Sequence, residues 1–510
     1  MVSYKEFYFR KPDKGDPMKL SELLENIDYE VMKGGTDPEI TGVVYDSRKA
    51  EKGSLFVCIR GAVSDGHKYI PDVIRKGASA ILVENYAEDA EHLPDEVKDS
   101  DAVVIQTKNS REALALVSAA WFGHPAERLT TIGITGTKGK TTTTYMIRSI
   151  LERTGRRTGL IGTIESITGK RTIPSENTTP ESYLIQEYFR EMVDSGCECV
   201  VMEVSSQALM LDRVAGISFD YGIFTNIEPD HIGPNEHRDF DDYLNCKKKL
   251  LMNCKTGFVN RDDEHFERIV DGVSCDIETY GFQESADYRA DNAKLTRGRG
   301  YLGISYHAAG AVDMDVEIDI PGKFSIYNSL AAIAVCHHLG ASKESILEAL
   351  RGAKVKGRVE LVKVSDEFTL MIDYAHNAMA LESLLSTLRE YHPHRLVCLF
   401  GCGGNRDRNR RFEMGEISGK MADLTIITSD NPRNEEPQAI IDDIKAGMAK
   451  TNGKYVEIID RKDAIRYAIR HGEPGDIIVL AGKGHEDYQI IKGKKYPMDE
   501  RVLIQEILNE

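Results

Sequence analysis

The sequence predicts an α/β protein of three domains, and three observations support this prediction. The chain has 510 residues, which is more than one hydrophobic core usually serves; roughly 100 to 200 residues per domain gives about three or four domains, and we take three. Short apolar runs alternate with segments of helical periodicity along most of the chain. A glycine-rich turn at residues 135–141 joins a strand pattern to a helix pattern, as in many nucleotide-binding domains.

The first predicted domain, residues 1–125, is a small α/β unit. Helical periodicity at residues 111–122 follows four short apolar strands, predicted at residues 42–45, 54–58, 80–83 and 102–105. Proline removes a backbone donor and cannot continue a helix. The run His124-Pro125 therefore ends the last helix and places a boundary near residue 125.

The second predicted domain, residues 126–352, carries the glycine-rich turn. A strand at 129–134 precedes the turn, a helix at 142–153 follows it, and buried strands are predicted at 199–204 and 221–225. Near-continuous apolar strands of this kind suit a parallel sheet covered by helices on both faces. The domain is predicted to be a P-loop-type ATPase unit that ends near Gly352, after a helix at 343–350.

The third predicted domain, residues 353–510, has a Rossmann-like, doubly wound pattern. Strands are predicted at 369–372, 396–400, 424–428 and 477–481, and a polar or glycine-rich loop follows each of them. In such sheets, ligands bind at the carboxyl ends of the strands. We therefore expect a binding site in these loops.

Composition and charge exclude several classes of protein. The chain is 41% apolar and 29% charged with a net charge of −17, which argues against a general affinity for nucleic acid or anionic membranes. No apolar run approaches the 18 to 20 residues of a membrane helix, and residues 1–17 lack the apolar stretch of a secretory signal. We expect a cytoplasmic protein whose nine cysteines are reduced.

The glycine-rich turn predicts a nucleotide site. Its backbone amides can converge on a polyphosphate, Lys140 adds positive charge, and Thr141 offers a hydroxyl to a phosphate-bound Mg²⁺. Gly133 and Gly139 are six residues apart, whereas the usual P-loop has a spacing of five. The turn alone leaves a kinase, a switch GTPase, a motor and a ligase open.

Other strand ends add candidate metal ligands. Glu203 ends an apolar strand, where P-loop enzymes carry an acidic residue that binds Mg²⁺. His231 follows the next strand, and an imidazole can also ligate a divalent ion. Lys247 lies on an amphipathic helix and by itself would be interpreted as a solvated lysine.

Ordered motifs from about residue 40 to the end resemble those of the Mur ligases, in particular their E-type branch. The matching motifs are residues 136–141, 177–180, 203–206, 230–231, 327–328, 357–358, 373–376 and 482–486. The resemblance implies an ATP-dependent, ADP-forming ligase that extends UDP-N-acetylmuramoyl-L-alanyl-D-glutamate through an acyl phosphate. Such an enzyme serves peptidoglycan biosynthesis, and with it cell wall formation, cell shape and cell division.

The resemblance also implies roles for individual residues. Lys140, Glu203, His231 and Lys247 would be catalytic, and Mg²⁺ would bind Thr141, Glu203, His231 and Lys247, the last as a carbamate formed from CO₂. ATP would contact Gly136, Thr137, Lys138, Gly139, Lys140, Thr141, Thr142, Asn328, Arg358, Asp373 and His376. The UDP-sugar would contact Ser47, Asn177, Thr178, Thr179, Ser205 and Arg213. Gln207 and Leu211 depart from the family pattern, which commonly has His and Gln there. A monomer is expected.

The loop 429–437 bears on which amino acid is added. Its Asp-Asn-Pro-Arg run resembles that of ligases that add meso-diaminopimelate, whose distal carboxylate needs a cation. Arg433 would bind that carboxylate and would repel the ammonium of lysine. The implied amino-acid site comprises Arg406, Asp430, Asn431, Pro432, Arg433, Gly482 and Glu486.

Three alternatives remain at this point. One is the same ligation with L-lysine, and a second is a ligase similar to folylpolyglutamate synthase. The third is a non-catalytic relative that binds ATP, although the complete set of catalytic residue types argues against it. We favour the addition of meso-diaminopimelate.

Overall fold

The structure is a computed structural model that describes residues 17–61, 64–87, 90–233, 236–298 and 300–510. The N-terminal segment in which the sequence predicts no secretory signal lies, apart from Pro17, outside the described residues. The chain divides into two compact units. The first comprises residues up to Lys140 together with 155–278, and the second comprises residues 141–154 and 279–510.

The N-terminal part of the first unit is a five-stranded sheet in the order β2-β7-β6-β5-β4. Its pairs are parallel except for the edge strand β2. The strands are β1 Met18–Lys19, β2 Glu30–Lys33, β3 Glu39–Ile40, β4 Gly42–Val44, β5 Ser54–Val57, β6 Ala80–Glu84 and β7 Val103–Thr107; the helices are α1 Leu20–Leu23, α2 Ile70–Arg75, α3 Asp95–Lys98 and α4 Ser110–Trp121. The four predicted strands are present. The short strands β1 to β3 were not predicted, because runs of two to four residues show no periodicity.

The next part of the chain carries the glycine-rich turn, between a strand and a helix as predicted. Its strands are β8 Thr130–Thr135, β9 Thr158–Ile161, β10 Glu165–Ile167, β11 Thr172–Pro174, β12 Cys199–Glu203, β13 Phe219–Phe224, β14 Cys254–Asn260 and β15 Asp276–Gly281. Its helices are α5 Lys140–Arg153, α6 Ser182–Asp194, α7 Ser206–Met210, α8 Phe240–Met252 and α9 Phe266–Val270.

Within the first unit these strands run in the order β11-β10-β9-β12-β8-β13-β14. Strands β9, β12, β8, β13 and β14 are parallel, as the apolar runs predict. In this ladder Glu203 lies opposite Ile134, and Phe224 lies opposite Thr135. The residues that follow β8, β12 and β13 therefore lie at one edge of the sheet.

The second unit contains antiparallel strands that the sequence prediction did not include. Strands β16 Tyr288–Gly298, β17 Tyr301–Gly310 and β18 Met314–Ile318 form a meander, followed by helices α10 Phe324–His338 and α11 Lys343–Arg351. A connection of a few residues can join only antiparallel strands. The alternating rather than continuous apolar pattern of β18 agrees with this arrangement.

The remainder of the second unit is a doubly wound domain with the sheet order β19-β20-β24-β21-β22-β23, parallel except for β19. Its strands are β19 Glu360–Val362, β20 Thr369–Asp373, β21 Leu396–Phe400, β22 Leu424–Ile427, β23 Tyr455–Glu457, β24 Ile477–Ala481, β25 Tyr488–Ile491 and β26 Lys494–Pro497. Its helices are α12 Ala378–Arg389, α13 Asn409–Met421, α14 Pro437–Met448, α15 Arg461–Arg470 and α16 Glu500–Asn509. The predicted loops after β20, β21, β22 and β24 all leave the same edge of this sheet.

Candidate active site

The glycine-rich turn is held by the segment that follows β13. The Thr137 amide donates a hydrogen bond to the Asn226 carbonyl at 2.9 Å. The Lys138 amide donates to Asn226 Oδ1, also at 2.9 Å. Thr225 Oγ1 donates to the carbonyl of Lys138 at 2.7 Å. Gly136 has φ +137°, and a Cβ there would lie 1.9 Å from Thr225 Oγ1. Only glycine fits this position.

Two lysines converge on the carbonyl oxygen of Gly136. Lys140 Nζ donates to it at 2.7 Å, and Lys247 Nζ donates to it at 2.8 Å. Lys247 is only 2% exposed. Burial, and next the positive charge of Lys140, lower the pKa of Lys247 well below its ordinary value. Lys247 is thus a buried amine inclined to be uncharged.

The interpretation of Lys247 as a solvated lysine is therefore wrong. On α8, the neighbouring Lys249 is exposed and Lys248 is partly exposed. Helical geometry turns successive residues by about 100°, so only one of these three lysines faces the sheet. The sequence pattern identified the helix, but the packing of α8 decides which lysine is buried.

Tyr243, one turn before Lys247 on α8, lies among the candidate catalytic residues. Lys247 Nζ is 4.7 Å from the centre of its ring. Its hydroxyl lies 3.1 Å from Thr137 Oγ1 in the turn, and its ring centre is 6.1 Å from that of His231. Sequence reasoning did not assign a role to Tyr243. Its four-residue spacing from Lys247 on a helix was the available indication.

Glu203 is the last residue of β12 and has no solvent exposure. Its carboxylate accepts the Thr163 amide at 2.8 Å and the Thr163 hydroxyl at 3.0 Å. A Cβ on Gly162 would come 2.5 Å from Glu203 Oε1. Glu203 is therefore a buried carboxylate at the end of a strand rather than a surface residue.

His231 lies in an exposed loop after β13, with its side chain 52% exposed. Its backbone has φ +54°, a conformation that is uncommon outside glycine. Its Nδ1 lies 3.1 Å from Glu236 Oε1. Nearby in sequence, Glu228 forms an ion pair with Lys138 of the turn at 2.7 Å.

The predicted metal ligands fit Mg²⁺ on the condition that Lys247 carries a carbamate. Mg²⁺ prefers oxygen ligands and near-octahedral geometry, and the Glu203 carboxylate supplies oxygens. His231 supplies an imidazole nitrogen. An unmodified Lys247 amine is a poor Mg²⁺ ligand, whereas a carbamate on that nitrogen would add two oxygens.

The structure also groups residues that the sequence reasoning did not single out. His237, Asp242 and Cys246 place one ligand atom each within 4.8 Å of one another. His237 is fully buried and its Nδ1 lies 3.3 Å from Asp242 Oδ2. Burial lowers the pKa of His237 against the opposing effect of Asp242, so His237 favours its neutral form.

The predicted UDP-sugar residues fall into a connected group and two separate positions. Thr179 Oγ1 donates to the Glu203 carbonyl at 2.8 Å and accepts the Ser205 amide at 3.0 Å. Arg213 Nη1 donates to the Thr179 carbonyl at 2.9 Å. Thr178 Oγ1 lies 3.1 Å from Thr163 Oγ1. These contacts connect four of the predicted residues to the segment around Glu203.

The two separate positions are Ser47 and Asn177. Ser47 begins a short 3₁₀ helix in the N-terminal sheet domain, and its carbonyl accepts Lys76 Nζ at 2.7 Å. Asn177 is exposed. Gln207, one of the departures from the family pattern, is also exposed, while Leu211 is partly buried.

The predicted ATP-binding residues Asn328, Arg358, Asp373 and His376 lie in the second unit. Asn328 of α10 is 4% exposed, and its Oδ1 accepts Thr143 Oγ1 of α5 at 3.4 Å. Asp373 ends β20 and accepts the amides of Val359 and Ala375, both at 2.8 Å. Burial raises the pKa of Asp373, although Arg358 opposes the shift.

A cluster of aromatic rings, tilted to one another, adjoins these residues. The Arg358 guanidinium lies 4.8 Å from the ring centre of Tyr374, and the rings of His376 and His485 lie 4.6 Å and 4.7 Å from it. Burial, followed by the charge of Arg358, lowers the pKa of His485 to about 4. His485 is therefore neutral near pH 7.

The predicted amino-acid residues lie in loops at the carboxyl edge of the β19–β24 sheet. Arg433 Nη1 donates to the Gly404 carbonyl at 2.8 Å. Asn431 Nδ2 donates to Glu486 Oε2 at 2.9 Å. A Cβ on Gly482 would lie 3.1 Å from Asp430 Oδ2. Loops that are distant in sequence thus form one group.

Arg406 and Pro432 complete the predicted set. Arg406 is exposed, in the loop that follows β21. Pro432 is buried, and its carbonyl would lie only 2.0 Å from a Cβ on Gly404. Glycine at 404 therefore permits the loops after β21 and β22 to approach closely.

Lys483 is a buried cation that sequence reasoning did not assign. It has no solvent exposure, and its Nζ donates to Asn431 Oδ1, Glu486 Oε2 and the Tyr488 carbonyl at 3.0, 2.7 and 2.5 Å. The quoted motif at 482–486 contained this lysine, but its role depends on contacts that a linear motif does not show.

Comparisons with known proteins cover almost the whole chain. Family models match residues 39–122 (Mur ligase family, catalytic domain), 134–336 (Mur ligase middle domain) and 357–484 (Mur ligase, glutamate ligase domain). The chain belongs to the Mur ligase family. The predicted family, fold class and enzyme class are thereby confirmed: this Mur ligase is an ATP-dependent, ADP-forming enzyme, and ligases of this family use ATP and Mg²⁺.

Two similar curated proteins are named UDP-N-acetylmuramoyl-L-alanyl-D-glutamate--2,6-diaminopimelate ligase. The protein of Clostridium perfringens is 41% identical over 498 residues, covering 96% of this chain and 99% of the relative. That of Caldanaerobacter subterraneus subsp. tengcongensis is 41% identical and covers 97% and 99%. A solved structure with this name has a TM-score of 0.68 at 25% identity and covers 97% and 99%.

None of the helices in the described part of this Mur ligase combines the length and the apolar character that crossing a lipid bilayer requires.

Proposed function

We propose that this Mur ligase joins UDP-N-acetylmuramoyl-L-alanyl-D-glutamate to meso-2,6-diaminopimelate in the cytoplasm, as a monomer, during peptidoglycan biosynthesis. The observation that carries the proposal is the grouping of Arg433, Asn431 and Glu486 at one sheet edge. The names of relatives 41% identical over nearly the full chain support the same substrates. We retain domain boundaries near residues 125 and 352.

The first chemical step is phosphoryl transfer. One of the two free carboxylates of the D-glutamyl residue attacks the γ-phosphorus of ATP, the bond to the β-phosphate oxygen breaks, and ADP leaves with that oxygen. Lys140, at the start of α5, neutralises triphosphate charge. Bound Mg²⁺ would supply charge stabilisation, held by Glu203, Thr141, His231 and Lys247. Positioning and electrostatics account for most catalysis of this kind.

The second step is amide formation. An uncharged amino group of the diamino acid attacks the acyl carbon, the bond to the phosphate oxygen breaks, and inorganic phosphate leaves. The new nitrogen then loses a proton. The amine must be deprotonated and in line with the acyl phosphate, so the enzyme's main task is to orient it.

Lys247 acts in this scheme as a carbamate. A neutral amine adds CO₂, forming an N–C bond and releasing a proton, and the product is an anion with two oxygens. Its burial next to Lys140 and the turn supports this role. The anion would offset the positive charge of Lys140 and provide oxygen ligands to Mg²⁺.

Substrate-binding roles follow the groups described above. Ser47, Asn177, Thr178, Thr179, Ser205 and Arg213 are assigned to the UDP-sugar. Gly136, Thr137, Lys138, Gly139, Lys140, Thr141, Thr142, Asn328, Arg358, Asp373 and His376 are assigned to ATP. The Arg358 guanidinium lies over the Tyr374 ring. This arrangement suits a nucleobase or ribose, because a planar guanidinium and aromatic rings provide flat contact surfaces.

Arg433 and Arg406 determine the choice of diamino acid. Arg433 uses one guanidinium nitrogen on Gly404, and its fork has further N–H donors for a carboxylate. meso-Diaminopimelate carries a distal carboxylate that L-lysine lacks. Glu486 is assigned to the amino group at the distal end of meso-diaminopimelate. The residues assigned to the surroundings of Glu486 are Asp430, Asn431, Pro432 and Gly482.

Product mass tests the proposal. The protein is incubated with UDP-N-acetylmuramoyl-L-alanyl-D-glutamate, ATP and Mg²⁺, with either meso-diaminopimelate or L-lysine. We expect the diaminopimelate adduct and one phosphate released per product. Preferential formation of the lysine adduct would overturn the choice of amino acid, and absence of both adducts would overturn the substrates.

A further inference from the structure

The backbone of Arg433 adopts an unusual conformation. Its φ is +53°, in the left-handed region that residues with a Cβ rarely occupy. Such a conformation persists only where the surroundings hold it, and it is common at ligand-binding positions. The contacts that hold Arg433 therefore bear on how its guanidinium is presented.

A hairpin holds the backbone of Arg433 on both sides. Residues 488–497 form this hairpin, from β25 and β26, which pair antiparallel; we call it the 488–497 hairpin. The Arg433 amide donates to the Ile490 carbonyl at 2.9 Å, and the Lys492 amide donates to the Arg433 carbonyl at 2.6 Å. The result is a parallel bridge between Arg433 and Ile491.

The same hairpin holds the residues that precede Arg433. Gln489 Nε2 donates to the Asp430 carbonyl at 2.6 Å and lies 3.3 Å from Ser429 Oγ. The Ile490 amide donates to Asn431 Oδ1 at 2.9 Å. The hairpin thus contacts Ser429, Asp430, Asn431 and Arg433 through hydrogen bonds.

Lys483 connects the hairpin to the rest of the loop group. An ammonium has three donors, and those of Lys483 are distributed over Asn431, Glu486 and the carbonyl of Tyr488, which begins the hairpin. With no solvent exposure, this charge is compensated by the Glu486 carboxylate at 2.7 Å. Moving Lys483 would move Asn431 and Glu486 together.

The 488–497 hairpin contributes little to the hydrophobic core. None of its residues is fully buried, and all of β26 is exposed. A two-stranded hairpin is marginally stable by itself. Its ordered contacts are therefore directed at the Asp430–Arg433 segment rather than at the packing of the domain.

We infer that the 488–497 hairpin is a specificity-determining element, in which Gln489 and Lys483 are positioning residues for Arg433, Asn431 and Glu486. The hairpin sets the affinity for the carboxylate-bearing end of the diamino acid and leaves ATP and the UDP-sugar unaffected. This inference rests on the proposed function, which assigns those three residues to the amino acid.

The test measures the Michaelis constant for each of the three substrates and asks which of them a substitution changes. Gln489→Met keeps the length of the side chain and removes both donors. Lys483→Met removes the buried charge at similar length. Lys494→Ala, which removes an exposed cation from the same hairpin, is the matched control. For each protein, kcat and the KM for meso-diaminopimelate, ATP and UDP-N-acetylmuramoyl-L-alanyl-D-glutamate are measured, with the rate for L-lysine and the melting temperature.

For Gln489→Met, we expect the KM for meso-diaminopimelate to rise about tenfold. This is the effect of losing one charge-assisted contact between Arg433 and the distal carboxylate of the substrate. Its kcat and its other two KM values should stay unchanged, and its preference for meso-diaminopimelate over L-lysine should fall. Lys483→Met should show the same split, and Lys494→Ala should match the wild type. If Lys483→Met does not fold, Gln489→Met alone decides.

Two results would overturn the inference. One is an unchanged KM for meso-diaminopimelate in Gln489→Met; the other is a parallel rise of all three KM values with a lower melting temperature, as a merely structural hairpin predicts. Failure of the proposed function is distinct, because in that case the wild type itself forms no diaminopimelate adduct.

Discussion

Lys140 Nζ and Lys247 Nζ donate to the same carbonyl oxygen, that of Gly136, at 2.7 Å and 2.8 Å. Two ammonium groups that share one acceptor repel each other, and the repulsion is strong where solvent is excluded. Burial of Lys247 lowers its pKa more than this repulsion does, and the two act in the same direction. The arrangement favours conversion of Lys247 into a neutral amine or an anion.

Replacing Lys247 by Ala or Arg should abolish amide formation and leave the fold intact. Neither residue can form a carbamate, so the positive charge of Lys140 and the bound Mg²⁺ would lose an anionic partner. We expect kcat to fall by at least about 100-fold, the typical loss when one preorganised electrostatic group is removed. Phosphate release and product mass measure the loss, and a melting curve reports the fold.

Lys248→Ala is the matched control, because Lys248 is the next residue on the same helix and is partly exposed. It should retain wild-type turnover. A wild-type rate in Lys247→Arg would remove the proposed role of the carbamate.

Gly136→Ala should weaken ATP binding. The new Cβ would lie 1.9 Å from Thr225 Oγ1, so either the turn or the segment after β13 has to move. Overpacking of this kind costs about 1 to 3 kcal/mol, which corresponds to a rise in the dissociation constant of roughly 5- to 150-fold. Calorimetric titration with ATP and Mg²⁺ measures it.

Gly155→Ala separates steric contact from backbone strain. Gly155 also has positive φ, +86°, but nothing lies within 4 Å of a Cβ placed there. Its effect should be limited to a stability loss of about 1 kcal/mol, with normal ATP affinity. Equal ATP affinities for the two variants would contradict the steric argument.

Arg433→Ala should lose the diaminopimelate reaction selectively. A charge-assisted hydrogen bond contributes about 1.5 to 3 kcal/mol, so kcat/KM for meso-diaminopimelate should fall roughly 10- to 150-fold. Any turnover of L-lysine should be unchanged or higher, since a repelling cation is gone. Competition between the two amino acids, followed by product mass, measures the ratio.

Arg470→Ala is the control for loss of positive charge in the same domain, because the Arg470 side chain is 60% exposed. It should keep the wild-type preference. An equal loss of both amino-acid reactions in Arg433→Ala would indicate a structural role for Arg433.

Asp476 should make the stability of the third domain acid-sensitive. Burial, the largest single influence, raises the pKa of this fully buried carboxyl, but the hydrogen bonds and charge of Arg395, the Glu473 amide and His394 together hold the pKa below its ordinary value of 3.8. A depressed folded-state pKa means that the stabilisation is complete above the unfolded-state value and is lost as the pH falls through the folded-state value. Asp476→Asn should therefore destabilise the domain at pH 7 by about 3 kcal/mol.

Urea unfolding at pH 7 and at pH 3 measures this difference, which should shrink at the lower pH. Asp463→Asn serves as the control, because the Asp463 side chain is 59% exposed. A difference that stays constant with pH would show that the carboxylate charge of Asp476 is unimportant.

Apolar runs predicted most of the sheet strands, because a buried strand needs several consecutive or alternating apolar residues. Four of the five strands of the N-terminal sheet and four of the six strands of the β19–β24 sheet were found this way. Strands β16 to β18 were not predicted; β16, Tyr288–Gly298, is largely polar, and β18 has only five residues. Their pairing depends on neighbouring strands rather than on local pattern.

The sequence identified the candidate residues by their type and their order along the chain. It did not identify the burial or the hydrogen-bond partners of these residues. Glu203 was identified as a strand-end carboxylate, but its burial against Thr163 comes from the course of the chain after β9. Lys483 and Gln489 gave no usable pattern, because their roles arise from hydrogen bonds to loops about 50 to 60 residues away in sequence.

The sequence by itself determined the three-domain α/β organisation, the position of the phosphate turn and the types of residue available for catalysis. These features are local, set by periodicity and by short-range turn chemistry. Only the tertiary structure decided which lysine of α8 is buried beside Gly136, and how the 488–497 hairpin holds Arg433. Burial and long-range hydrogen bonding depend on which distant segments pack together, and no local pattern encodes that.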